Sequence, residues 1–302
     1  MRRMIAEWFN ERGRSADDAG SADRARRFYR LASRVDPRWS SPWYNLGLQD
    51  KYAGRWQDSL RFNQRAVVLD SQNEAAWWNL GIVATALHDW AGARRAWRGF
   101  GIDIPDGDGE IEMPVVTACV RLDPSDAGEV VWGDRIDPAR IIVLNVPLPE
   151  SGHRFHDIVL HDGAPNGNRT RDGEEYPVFD ALALWQPSDY TTFEVSLGVP
   201  SQGAEDRLVE LCRERKVGIE DWSTVRMICA ECSRGNPAPH ECVQHIAGPK
   251  PYAIAAQSEA AVREVLTEWV AEARDREYGA IDLRVPGATD DPSVRTTPAV
   301  RP

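Results

Sequence analysis

The chain has 302 residues, 42% of them hydrophobic and 27% charged, with a formal net charge of -11 and a pI near 5.1. That length holds two domains or three, each with a core of its own. The acidic balance argues against a general nucleic-acid or membrane-surface binder, and no apolar run approaches the roughly 18 residues needed to span a bilayer.

From about Ala6 to Gly101 the chain repeats itself. Trp43, Asn45, Leu46 and Gly47 return 34 residues later as Trp77, Asn79, Leu80 and Gly81. A looser first copy has Phe9 at the Trp43 position and Gly13 at the Gly47 position. It continues through Gly20, Ala25, Tyr29, Ala32 and Asp36-Pro37. A period of 34 with large and small apolar residues in alternation reads as helix–turn–helix units. Gly54 fits the turn between helices, where a positive φ is cheap. The arginines of residues 1–39, interleaved with acids, read as a solvated helical face.

These residues resemble the tetratricopeptide repeat (TPR) family, in three units covering about a third of the chain. The resemblance implies a protein-binding scaffold. It also implies that Tyr44, Asn45, Leu48, Tyr52, Trp78, Asn79 and Ile82 lie on a concave groove. A chaperone-type clamp for a C-terminal carboxylate needs several cations there, and only Lys51 is close. Either a peptide fills this groove or the chain's own second half does.

The last repeat helix, Trp90 to Phe100, is followed by breakers (Gly101, Pro105, Gly107, Gly109) and no polar capping helix. The next domain is therefore expected to cover it. From Met113 the pattern changes to short runs: Pro114–Leu122, Glu129–Trp132, Ile141–Val146, Asp157–His161 and Val178–Leu184. Turn residues separate them, which predicts a small β-barrel or sandwich. Next come a strand at Tyr190–Leu197, a helix at Ala204–Arg215, strands at Val225–Cys229 and Tyr252–Ala256, and a helix at Glu259–Arg276, with Ser258 placed to cap it. That order is the ferredoxin-like one. After Tyr278 the sequence turns to Pro, Asp and Thr, as a mobile tail or one docked in extended form. The expected fold is thus a helical TPR solenoid (1–103), a small β-barrel or sandwich (104–188), an α/β domain (189–278) and a tail (279–302).

Two clusters carry possible chemistry. Cys229, Cys232, His240 and His245, with Cys242 as substitute, have the ligand types zinc prefers. Four protein ligands would make one structural zinc ion, closed to catalysis. A redox Cys-x-x-Cys pair and cysteines with no metal are the other readings. Five cysteines, an odd number, do not suggest a disulfide framework. The second cluster is His153, His156, Asp157, His161 and Asp162. On a strand, Asp157 and His161 would share a face, as a metal pair or as base and orienting acid. No phosphate loop, nucleophile elbow or metalloprotease helix is present. Asp103, Asp106, Asp108 and Glu110 lack the spacing of a calcium loop.

The expected function is an intracellular adaptor that binds a protein or peptide partner, with no nucleic acid and no membrane. Without a signal peptide the location is expected to be cytoplasmic. A bacterial toxin-neutralising or regulatory role would suit an acidic adaptor. The alternative is a metal-dependent or His/Asp enzyme, with His156, Asp157 and His161 as its site and the TPR part as a targeting module.

Overall fold

Six helices fill the repeat region: α1 (Arg2–Asp18), α2 (Ala22–Val35), α3 (Ser40–Tyr52), α4 (Trp56–Leu69), α5 (Glu74–Ala86) and α6 (Trp90–Phe100). In this computed structural model, which describes residues 1–124, 128–222 and 250–290, each odd helix packs on the next even one. The helix starts at Ala22, Trp56 and Trp90 keep the 34-residue period. So do the turns: Gly20, Gly54 and His88 all have positive φ, and only His88 adopts it with a side chain. Within each pair the first helix touches the second through a glycine. A Cβ at Gly47 would lie 2.5 Å from the Asn63 amide, and one at Gly81 would lie 2.6 Å from the Trp97 ring. Gly13 meets Tyr29 in the same way.

Polar bonds tie the first repeat to the second. Asp50 is fully buried. It accepts both Arg26 Nη1 and Nη2, at 2.7 and 3.0 Å, and Arg55 Nε at 2.6 Å. Asp17 accepts Gln49 Nε2 and Tyr29 Oη, each at 2.7 Å.

This unit runs to Pro114, not to 103. The cause is arginine on the last helix. Arg94 donates to the carbonyls of Pro105 (3.0 Å) and Gly109 (2.6 Å), and Arg98 donates to that of Ile104 (2.8 Å). The breaker-rich segment is thereby fastened to α6, with Ile104 and Ile111 buried.

The second unit takes up the described residues from Val115 on, apart from 137–139. Its strands β1 (Val116–Arg121), β2 (Val130–Arg135), β3 (Arg140–Val143), β4 (Ile158–His161), β5 (Asn168–Arg171) and β6 (Glu174–Gln186) form one sheet in the order β1-β2-β3-β4-β6-β5. β6 also pairs in parallel with β1 (Cys119 with Val178, Arg121 with Asp180), so five strands close into a barrel. Ala118, Val120, Leu122, Val131, Ile141, Val143, Val159 and Phe179 form its core. Of the barrel or sandwich expected from the sequence, the barrel is present. The β5–β6 hairpin was not foreseen, although Asp172-Gly173, both at positive φ, is a strong hairpin signal.

A second sheet contains β7 (Thr191–Gly198), β8 (Gly218–Asp221), β9 (Lys250–Ala256) and β10 (Glu277–Val285) in the order β10-β7-β9-β8, all neighbours antiparallel. Helices α7 (Gln202–Glu214) and α8 (Glu259–Ala271) cover one face through Leu208, Leu211, Val265, Leu266 and Trp269. Ser258 caps α8 by accepting from Ala261 N, as expected. β10 crosses the boundary placed at 278. Residues 279–285 are strand, paired with β7 through two shifts of register, which matches the docked extended form and not the mobile tail.

The other face of this sheet, at Ala253 and Ala255, packs with Val146, Phe155, Tyr190 and Trp222. Trp222 Nε1 donates to the Val146 carbonyl at 3.1 Å, and Arg154 Nε to the Pro286 carbonyl at 2.7 Å. Barrel and second sheet therefore form one body, where a division at 188 was expected. Among the described residues no helix is long and apolar enough to cross a membrane.

Candidate functional site

The seven groove residues sit on α3 and α5, which neighbour each other. Tyr44, Asn45, Leu48 and Trp78 are half-buried, Tyr52 is 61% exposed, and Asn79 and Ile82 are buried. Ile82 belongs to a stretch of α5, Asn79 to Ala86, that is buried throughout. Lys51 is also buried, its ammonium 4.4 Å from the Tyr52 ring centre. The Lys51 charge thus lies beside an aromatic ring.

The polar groups follow the repeat but not their partners. Asn45 Nδ2 donates to Asn10 Oδ1 at 2.9 Å, across from α3 to α1. Asn79 stands one repeat further on, where the residue matching Asn10 is Tyr44, and its Nδ2 has no hydrogen-bond partner. Trp78 Nε1 is also without one, while the Trp78 ring packs edge-on to Trp97 and Phe100 at 5.1 and 4.7 Å. Both donor atoms are themselves buried.

The His/Asp cluster is dispersed. Asp157, fully buried just before β4, accepts the backbone N–H of Arg154 at 2.8 Å and of Ser188 at 2.7 Å. His153 Nδ1 lies 3.3 Å from Asp157 Oδ2 without the alignment of a hydrogen bond. His161 Nδ1 lies 2.7 Å from the Asp162 carbonyl, and its ring tilts over Phe179. Burial above all pushes its pKa down to about 4, so it is neutral at pH 7. His156 is exposed, at positive φ, and stacked on Phe155 at 4.0 Å. Among the described residues no three His, Cys, Asp or Glu side chains converge as a metal site. Cys229, Cys232, His240, Cys242 and His245, with the strand expected at Val225–Cys229, lie outside the described residues.

One feature gave no signal in the sequence. Glu129, ahead of β2, and Glu220, in β8, are both half-buried. Glu129 accepts Leu148 N at 2.9 Å. Glu220 accepts Asn145 Nδ2 at 2.7 Å, and Asn145 Oδ1 accepts Trp132 N at 2.6 Å. Burial pushes the Glu129 pKa up to about 7, with Glu220 adding to the rise. Burial raises that of Glu220 as well.

No protein-family model matches the chain, and no curated protein does. Solved structures do. The N-terminal 32% of the chain is similar to TPR domains. The second TPR of Spaghetti (RPAP3), bound to an HSP90 peptide, SRMEEVD, matches at 17% identity over 91% of its length, with a TM-score of 0.31. The Arabidopsis OM64 TPR domain matches at 18% identity over 81% of its length, also with a TM-score of 0.31. A hypothetical protein from Neisseria gonorrhoeae matches 58% of this chain at 15% identity, over 97% of its own length, with a TM-score of 0.24.

Proposed function

We propose that this protein is an adaptor whose TPR unit binds an extended or helical peptide of a partner protein along the face of Tyr44, Asn45, Leu48, Tyr52, Trp78, Asn79 and Ile82. One observation carries the reading. Tyr44, Asn45, Leu48 and Trp78 stay half-buried and Tyr52 is 61% exposed, on two helices that neighbour each other. Partly open aromatic and aliphatic side chains of this kind suit the apolar side chains of a peptide. With Lys51 buried, a ligand held by its terminal carboxylate is not the one proposed. The adaptor reading is preferred over the His/Asp enzyme because Asp157 spends both its oxygens on backbone amides, His161 is turned to the Asp162 carbonyl and His156 is stacked on Phe155.

The experiment is a pull-down with the full chain and with Tyr44→Ala/Trp78→Ala, partners identified by mass spectrometry and folding checked by circular dichroism. Loss of a partner from the folded double variant supports the groove. Every partner remaining bound sinks it.

Two further readings belong with this one. The order β-α-β-β-α-β with sheet order β10-β7-β9-β8 supports a ferredoxin-like arrangement for the second sheet. Cys229, Cys232, His240 and His245 are proposed, on ligand type and spacing, to hold one structural zinc ion.

A further inference from the structure

The chain between β3 and a 3-10 turn at Pro149–Ser151 ties the barrel to the second sheet. Val146 is buried and packs with Ala253 and Ala255 of β9. Its carbonyl accepts Trp222 Nε1 at 3.1 Å. Pro147 has no N–H to give. The N–H groups on either side of it both go to carboxyls: Leu148 N donates to Glu129 Oε2 at 2.9 Å, and Val146 N donates to Glu220. Asn145 Nδ2 adds a second bond to Glu220, at 2.7 Å, while Asn145 Oδ1 accepts Trp132 N at 2.6 Å. Glu129 stands just before β2 of the barrel, and Glu220 lies on β8 of the second sheet. Residues 145–148 are therefore held by one acid from each side of the joint.

The surroundings make charge on both acids costly while the joint is closed. Both carboxyls are half-buried. Glu129 faces Glu220, with His153 and Arg169 opposing. Glu220 faces Asp221 beside it, with Arg169 again opposing. One guanidinium thus stands against two acids. Burial pushes the Glu129 pKa up to about 7 and raises that of Glu220 in the same direction. A protonated carboxyl keeps an oxygen that accepts the N–H, so the closed form does not need the charge. When residues 145–148 move away, water reaches both carboxyls and each ionises at its ordinary value.

We infer that residues 145–148 are a proton-linked latch between the barrel and the second sheet, closed while Glu129 or Glu220 carries a proton and released when both are ionised. Opening gives up the proton, so the open fraction rises with pH between about 4.5 and 7 and levels off above that. The latch does not depend on the proposed peptide groove, which lies on α3 and α5.

Amide hydrogen exchange of the full chain, resolved at Val146 and Leu148, tests this. With the intrinsic pH dependence of exchange divided out, opening at Leu148 is expected to rise about tenfold per pH unit between about pH 5 and pH 7. Glu129→Gln should flatten that rise to the part that Glu220 supplies. Amides of the two cores, at Val120 and Ile254, separate the latch from unfolding of the whole unit. They should exchange at least about tenfold more slowly than Leu148 at pH 7. Low urea should speed exchange at Val120 and Ile254 and leave Leu148 nearly unchanged, because a local opening exposes little surface. If Glu129→Gln does not fold, Glu220→Gln takes its place, with the same flattening expected at Val146. The inference is overturned if corrected exchange at Leu148 is constant with pH, if the glutamine variant keeps the wild-type rise, or if Leu148 exchanges no faster than the two core amides.

Discussion

Gly81 and Trp97 face each other across the α5–α6 pair so closely that one added methyl group at Gly81 would stand 2.6 Å from the indole. Gly81→Ala gains about 1 kcal/mol of helix propensity. It loses more, because the Trp97 ring is fully buried and has no space to retreat. A net destabilisation of about 1–3 kcal/mol is expected from overpacking, read as a lower urea midpoint. Trp97→Leu added to Gly81→Ala should recover part of that loss. A fully additive pair of effects would show that the two residues do not press on each other.

Asp50 is the centre of the polar contact between the first two repeats. Asp50→Asn leaves Arg26, mostly buried, and Arg55, half-exposed, facing a neutral amide that is itself fully buried. The expected cost is about 3 kcal/mol, in the range for breaking a buried pair on one side. Arg55→Ala, at a half-exposed side chain, should cost well under half of that. Equal costs for the two variants would place the weight of the network elsewhere.

The pH dependence follows from Glu129. Its carboxyl ionises near pH 4.5 in the unfolded chain and at about 7 in the folded protein. Between those values only the folded state holds the proton, so stability falls as pH rises through this window and stays low above it. Glu220, also raised, acts in the same direction. His161, depressed to about 4, acts in the opposite direction between about pH 4 and 6.5, where the unfolded chain takes up the proton. Glu129→Gln removes only the Glu129 contribution. The variant should therefore gain on the wild type by about 2 kcal/mol between pH 5 and pH 8. Urea melts at four pH values measure this. A constant difference between the two proteins would refute a raised Glu129.

Metal content is measured directly. Purified protein should carry about one zinc per chain by elemental analysis, and Cys229→Ser/Cys232→Ser should carry none. Less than about a tenth of an equivalent in the wild type would end the zinc proposal.

The helical repeat was readable because each of its contacts is local and recurs: Gly47 and Gly81 must be small for the same steric reason, 34 residues apart. The short β runs were readable as strands, but not the way they close. Barrel closure rests on Cys119 meeting Val178 and on Arg121 pairing with Asp180, and nothing in either stretch names the other. Glu129 and Glu220 were invisible for the same reason, since each looks like an ordinary surface acid until the fold buries it. Among the seven residues expected on the groove, the sequence did not show that Ile82 and Asn79 would be enclosed. That depends on the burial of α5 throughout Asn79 to Ala86.

The closure of the barrel through β6 also governs how it must form. β1 has β2 on one edge from early on, yet its other edge stays open until β6 has been made and all the chain between them has been laid down. During synthesis that edge exposes Ala118, Cys119 and Val120 to any passing strand. The parallel pairing of distant segments is the slow kind. The barrel is thus open to misassembly until residues 178–180 arrive.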